Sequence, residues 1–313
     1  MNRTAQALST PLLRLLFFIV AFVVMTGISA GLATLVSEWI LGTPGPDVMN
    51  MNLESLTPVD IKSLRLSQSI NQLFGFLGAA VLYVLLFGSE SVNGFMLRPS
   101  RWILLAPLVL LVSMPLLELT ITWNEQMIPE NSWLAEQLKP LQELTDNLTL
   151  IMMRGEGKGL LISNLVLFAL IPAVCEEVAF RGIIQSQSVK LFGNIHVGIW
   201  VSAAIFSAIH MQFYGFIPRM LLGAVFGYLV VYSGSLWSAI VAHFLNNALA
   251  VFAVYMNQSL EPLEGGLEEH VATWPYALLS LAMVVVLLSW MRRAGPWSAI
   301  RQMVLTDTKP HHI

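Results

Sequence analysis

Three short polar clusters interrupt long apolar stretches of this chain, and their residue types could do chemistry. The first is Pro172-Ala173-Val174-Cys175-Glu176-Glu177-Val178-Ala179-Phe180-Arg181-Gly182. On a helix, Glu177 and Arg181 are four apart and share a face, where a carboxylate and a guanidinium can pair. Glu176 points about 100° away from Glu177, so the two acids need not do the same job. A plausible division leaves Glu177 supported by Arg181 and Glu176 free to act on substrate or water. A blander reading puts both acids at a helix end among lipid headgroups. The second cluster is Phe206-Ser207-Ala208-Ile209-His210, with His210 at the far end of an apolar run. The third is His243-Phe244-Leu245-Asn246-Asn247, in which His243 and Asn247 share a helix face and Asn246 lies one position off it, where a structural role is expected.

A bilayer must position these groups. Hydrophobic residues make up 56% of the 313 and charged residues only 11%, against about a quarter charged in a soluble domain; mean hydropathy is +0.71. An all-α, polytopic transmembrane bundle is expected. Windows of about twenty apolar residues give eight candidate spans, near 13–36, 69–88, 101–121, 160–180, 196–213, 215–233, 235–256 and 273–291. The connections around Gly215 and Gly234 are the least defined. Gly75, Gly78, Pro107, Pro115 and Pro172 fall inside spans, where neighbouring helices can satisfy the backbone groups they free. The first apolar run could be a signal peptide, but it continues to Val36 and is long enough to be retained as a helix. Residues 132–148 read as an amphipathic helix, lying in the interface with Trp133 at headgroup level or packed on the bundle.

Ionisable groups at membrane depth are costly and usually face a bundle interior or a wet cavity, which makes the clusters functional candidates. Counting from helix ends at Lys190, Ile195 and Ser235, Glu176 and His210 lie roughly 21 Å deep, and His243 and Asn247 roughly 12 and 18 Å deep. They can therefore meet. Arg3, Arg14, Arg98, Arg101, Lys190, Arg292, Arg293, Arg301 and Lys309 fall on one side of this topology, which by the positive-inside rule puts both termini in the cytoplasm. The net charge of -3, with no basic block, offers nucleic acid no footprint. The one cysteine, Cys175, excludes an intrachain disulfide and a cysteine zinc cluster; it reads as a small buried hydrophobe. The 15 methionines read as packing.

The order Glu-Glu-x-x-x-Arg, Phe-x-x-x-His, His-x-x-x-Asn on successive membrane helices resembles the CPBP family, the CaaX prenyl endopeptidases and their bacterial relatives linked to bacteriocin processing or immunity. The resemblance covers roughly residues 130–256. It implies an organisation of N-terminal helices over 1–125, a protease core over 126–256, and a last helix with cytoplasmic tail over 257–313. It carries over Glu176, Glu177, Arg181, Phe206, His210, His243 and Asn247 as site residues. Peptide hydrolysis needs an activated water, which Glu176 and His210 could hold and deprotonate, and an oxyanion donor, which His243 and Asn247 could supply. Zinc remains open: Glu176, His210 and His243 could hold it with an open fourth position, yet there is no His-Glu-x-x-His pair, and the resemblance includes glutamate-dependent members without metal. The expected function is an intramembrane endopeptidase, acting from the cytoplasmic side on a membrane-associated peptide or protein, in the lipid bilayer of a bacterial inner membrane. The rival is a non-enzymatic protein, an immunity factor or a transporter with a buried Glu/His relay. Convergence on one cavity distinguishes the first from a relay strung across the membrane.

Overall fold

The structure is a computed structural model that describes residues 10–48, 51–88, 98–129, 131–257 and 274–296. Helices are the regular secondary structure among the described residues, which hold no strand. Nine helices are seen among the described residues: α1 Pro11–Leu41, α2 Pro58–Phe87, α3 Arg101–Gln126, α4 Trp133–Met153, α5 Lys158–Phe192, α6 Ile195–Ala208, α7 Phe216–Ser233, α8 Leu236–Asn257 and α9 Trp274–Ala294. Seven are long and apolar enough to cross a membrane, and α6 is a shorter apolar helix. The expected fold class holds, with the fifth candidate span reduced to α6. The chain is an integral membrane protein.

Local chemistry sets the ends. Pro11 and Pro58 open α1 and α2 behind threonine caps, and at α2 Thr57 and Asp60 form a reciprocal capping box. Asn194 caps α6 by accepting from the backbone of His196 and Val197. The tight connections α5–α6 and α7–α8 turn on Gly193 and Gly234, whose φ values of 61° and 68° a side chain would resist. The second helix begins at Pro58, eleven residues before the hydropathic span, because Ser63, Arg65, Ser67 and Gln68 give its first turns a polar composition.

The bundle buries polar side chains and turns apolar ones outward. Val20, Val23, Leu35, Val285 and Val286 are each more than half exposed, while Gln72, Asn124, Glu176, Glu177, Arg181, Gln185 and His243 are buried. That inversion suits lipid as solvent. Pro115 illustrates how an interrupted helix ladder is repaired. The Ser280 hydroxyl of α9 donates to the Val112 carbonyl (2.6 Å) and accepts from the Leu116 amide (3.3 Å), so a neighbouring helix satisfies the interrupted ladder. Helix α4 packs on α2, α8 and the α6–α7 turn through its later residues and leaves Trp133 exposed, so the bundle-packed alternative describes its second half.

Candidate active site

Three helices deliver the polar clusters to one place. On α5, Glu176 and Glu177 end a short α-helical piece, Ile171–Glu177, held between two wider π-helical segments, Leu165–Leu170 and Val178–Ile184. The Glu177 Oε1 accepts from Arg181 Nη1 at 2.7 Å, the pairing expected from their spacing. It also accepts from His243 Nδ1 at 2.8 Å. Arg181 is fully enclosed: its other terminal nitrogen donates to the Gly223 carbonyl at 2.9 Å, and its guanidinium stacks over Phe206 and Phe226 at 4.7 and 5.4 Å. A Cβ at Gly223 would sit 3.3 Å from that guanidinium, so the glycine lets α7 approach.

Glu176 sits in different company. Its Oε1 accepts from Gln72 Nε2 of α2 at 2.9 Å. Its Oε2 lies 4.0 Å from His210 Nε2 and 3.9 Å from His243 Nε2. Each imidazole is fixed from behind, because His210 Nδ1 donates to the Phe206 carbonyl at 2.7 Å and His243 Nδ1 donates to Glu177. In their neutral forms both rings therefore turn an Nε2 lone pair toward Glu176. Two atoms 4.0 Å apart can both bind one water at about 2.8 Å with an angle near 90° at its oxygen.

The same three donors are the types a zinc ion takes, and histidines held through Nδ1 are common at such sites. Their spacing is wider than the roughly 3.3 Å edge of a tetrahedron with ligand bonds of about 2.0–2.1 Å. Among the described residues no group of three His, Cys, Asp or Glu side chains is placed to hold a metal ion. The donor set fits zinc in kind, and the side chains as they stand fit a water better.

Phe206 packs against Arg181, His210 and His243, tying the second motif to the other two. A cavity of about 580 Å³ opens beside the cluster, lined by Phe206, His210, His243, Asn246 and Asn247 on one side and by Glu118, Glu125, Gln142 and Arg219 on others. Asn246, expected to be structural, lines it alongside Asn247 and donates to that neighbour's Oδ1 at 3.2 Å. Cys175 is a buried free thiol.

Two contributors escaped the sequence reading. Gln72 stands inside an apolar run, and a polar residue at membrane depth is the signal that marks it. Arg219 reaches the cavity wall and donates to both the carbonyl and the side chain of Gln212, which in turn donates to Asp146 of α4. This chain of contacts ties the α6–α7 turn to α4.

Residues 158–249 match the family model for type II CAAX prenyl endopeptidase Rce1-like proteins. Over this stretch the family resemblance is shown. The match opens at the first residue of α5 and takes in Glu176, Glu177, Arg181, Phe206, His210, His243 and Asn247, and it is narrower than the 130–256 read from the motifs. An uncharacterized protein of Bacillus subtilis, YpbD, is similar at 27% identity over 92 residues, 28% of this chain and 44% of that protein. The similarity thus spans less than half the length of the curated relative. No solved structure matches the chain. Gln72 lies outside the Rce1-like segment and reaches the site only through the fold.

Proposed function

We propose that this chain is an intramembrane endopeptidase that hydrolyses a peptide bond of a membrane-associated protein or peptide. The observation that carries the proposal is the meeting of Glu176 of α5 with His210, just past the end of α6, and His243 of α8, the two histidines lining one cavity, where a relay would string the groups across the bilayer. Water held between Glu176 Oε2 and His210 Nε2 gives its proton to the carboxylate and attacks the substrate carbonyl. Asn247 donates to the oxyanion, and His243 joins it when a proton on Nε2 makes the ring a cation paired with Glu177. Glu176 then returns the proton to the departing amine. Arg181 positions Glu177 and balances its charge. If zinc is bound, Glu176, His210 and His243 would hold it, and it would supply a polarised water.

The wider assignment follows the same reading: N-terminal helices over 1–125, a protease core over 126–256, and a last helix with a cytoplasmic tail over 257–313, in a bacterial inner membrane with both termini cytoplasmic. Residues 258–273 and 297–313 lie outside the described part. The decisive variant is Glu176→Gln, which keeps the side-chain shape and removes the base. Processing of a membrane peptide by the purified variant should fall by at least about 10²-fold, the lower range for a positioned acid–base group, with folding in detergent preserved. Wild-type turnover by this variant refutes the role.

A further inference from the structure

The residues lining the cavity reveal at which end of the bundle it opens. Glu118 and Glu125 come from the second half of α3, Gln142 from α4, and Tyr214 and Gly215 from the α6–α7 turn. All belong to the end that α1 reaches at Leu41 and α5 leaves at Lys158, opposite to Pro11 and Ala294. Asn124 fixes the level of that turn. Its amide donates to the Phe213 carbonyl and its Oδ1 accepts from the Ile217 amide, both at 2.7 Å, one residue beyond Trp123.

Two tryptophan pairs mark the membrane surfaces. Trp123 and Trp274 pack with ring centres 4.7 Å apart at this end, and Trp102 and Trp290 at 5.5 Å at the other. Along α3 the two levels are about 32 Å apart at the α-helical rise, close to the roughly 30 Å hydrocarbon core whose edges tryptophan favours. The cavity mouth thus lies at the Trp123 surface.

Charge tells the surfaces apart. Near the Trp102 surface the described residues include Arg14, Arg98, Arg101, Lys190, Arg292 and Arg293, with no acid among the described residues there. In the sequence Arg3 precedes this group, Arg301, Asp307 and Lys309 follow it, and Glu90 lies in the connection before Arg98. At the other end Lys62, Lys139, Arg154 and Lys158 lie among Glu125, Glu136, Glu143, Asp146 and Glu156. Arg65 there is bonded to Met152, Ser163 and Asn164, and Arg219 to Gln212. Basic residues in short connections are retained in the cytoplasm.

We infer that the cavity opens at the non-cytoplasmic face of the membrane, and that its substrate is a peptide segment presented at that face by a membrane-anchored or exported chain. The substrate half of this inference rests on the endopeptidase reading; the orientation does not. Approach from the cytoplasmic side, the expectation from sequence, would need the mouth at the Trp102 surface.

The single native cysteine is buried, which makes cysteine labelling of the full chain a clean test. Glu136→Cys on exposed α4 and Arg293→Cys at the exposed end of α9 avoid the site. In intact cells a membrane-impermeant maleimide should label Glu136→Cys, and it should label Arg293→Cys only after permeabilisation. A phosphatase active only when exported, fused after Ile313, should be silent. The reverse labelling, both positions labelled from the same side, or an active fusion overturns the inference. Processing by Glu176→Gln in the same cells separates the two claims: expected labelling with undiminished processing sinks the protease reading alone, and reversed labelling with lost processing sinks the orientation alone.

Discussion

Replacing Gln72 with leucine tests the site through a residue that no motif contains. The side chain keeps similar bulk and loses the amide that donates to Glu176 Oε1 at 2.9 Å. Both partners are 5% exposed, so solvent cannot readily take the place of the amide. A hydrogen bond to a charged group contributes about 1.5–3 kcal/mol. If that full amount holds the carboxylate in its attacking orientation, kcat falls by roughly 10- to 150-fold at 1.36 kcal/mol per decade. Gln72 does not line the cavity, so KM should hold while kcat drops. The assay is single-turnover cleavage of a membrane peptide in proteoliposomes, with thermal unfolding of the same preparation to record how much of the loss is stability. A rate within twofold of wild type with an unchanged Tm would refute the idea that α2 positions the catalytic carboxylate.

Other expectations concern the supports of the site. Arg181→Met leaves the wholly buried Glu177 with His243 as its remaining partner and should destabilise the fold by about 3–5 kcal/mol, as broken buried pairs do. Adding Glu177→Gln should recover part of that loss in denaturant unfolding, and strict additivity would show that the pair is not coupled. Ser280→Ala removes the hydroxyl that bridges the interrupted ladder at Pro115 and should lower stability by about 1 kcal/mol, read as a fall in Tm without a change in kcat. Extended chelation should leave turnover intact, given that Glu176 Oε2 lies 3.9–4.0 Å from the two histidine nitrogens; loss of activity restored by zinc would reverse that assignment.

Much of the architecture was legible because lipid imposes a coarse code. Seven long apolar helices carry the composition that hydropathy detects. The places where that code failed are places where protein covers the chain. The start of α2 is polar because it packs on α1 and α4, and a hydropathy window reads it as a loop. Helix α6 ends at Ala208 although the apolar run continues, because the backbone turns at Met211, which adopts a φ of 55°. In the candidate site, Glu177–Arg181 and the common face of His243 and Asn247 follow from i,i+4 spacing alone. The bond between Gln72 and Glu176 joins residues 104 apart in sequence, and no local periodicity encodes it. The closure of His243 onto Glu177 needs the crossing of α5 and α8, which only the packed bundle supplies.

The π-helical segments on either side of the two acids carry a consequence for how such a site tolerates change. Within Leu165–Leu170 and Val178–Ile184 the ladder skips to a partner five residues back, as when Ile171 bonds to Val166 and Gln185 to Phe180. Each segment accommodates an extra residue without ending the helix. Deleting one residue from Leu165–Leu170 would restore an ordinary turn and leave the residues after it close to their present facing, whereas deleting one from the α-helical piece Ile171–Glu177 would swing everything after it by about 100°. Substitutions along this stretch keep that angular setting, a single deletion within either wide segment is absorbed there, and a deletion in the α-helical piece between them resets it. Tolerance of a one-residue length change along α5 should therefore be confined to its two wide segments.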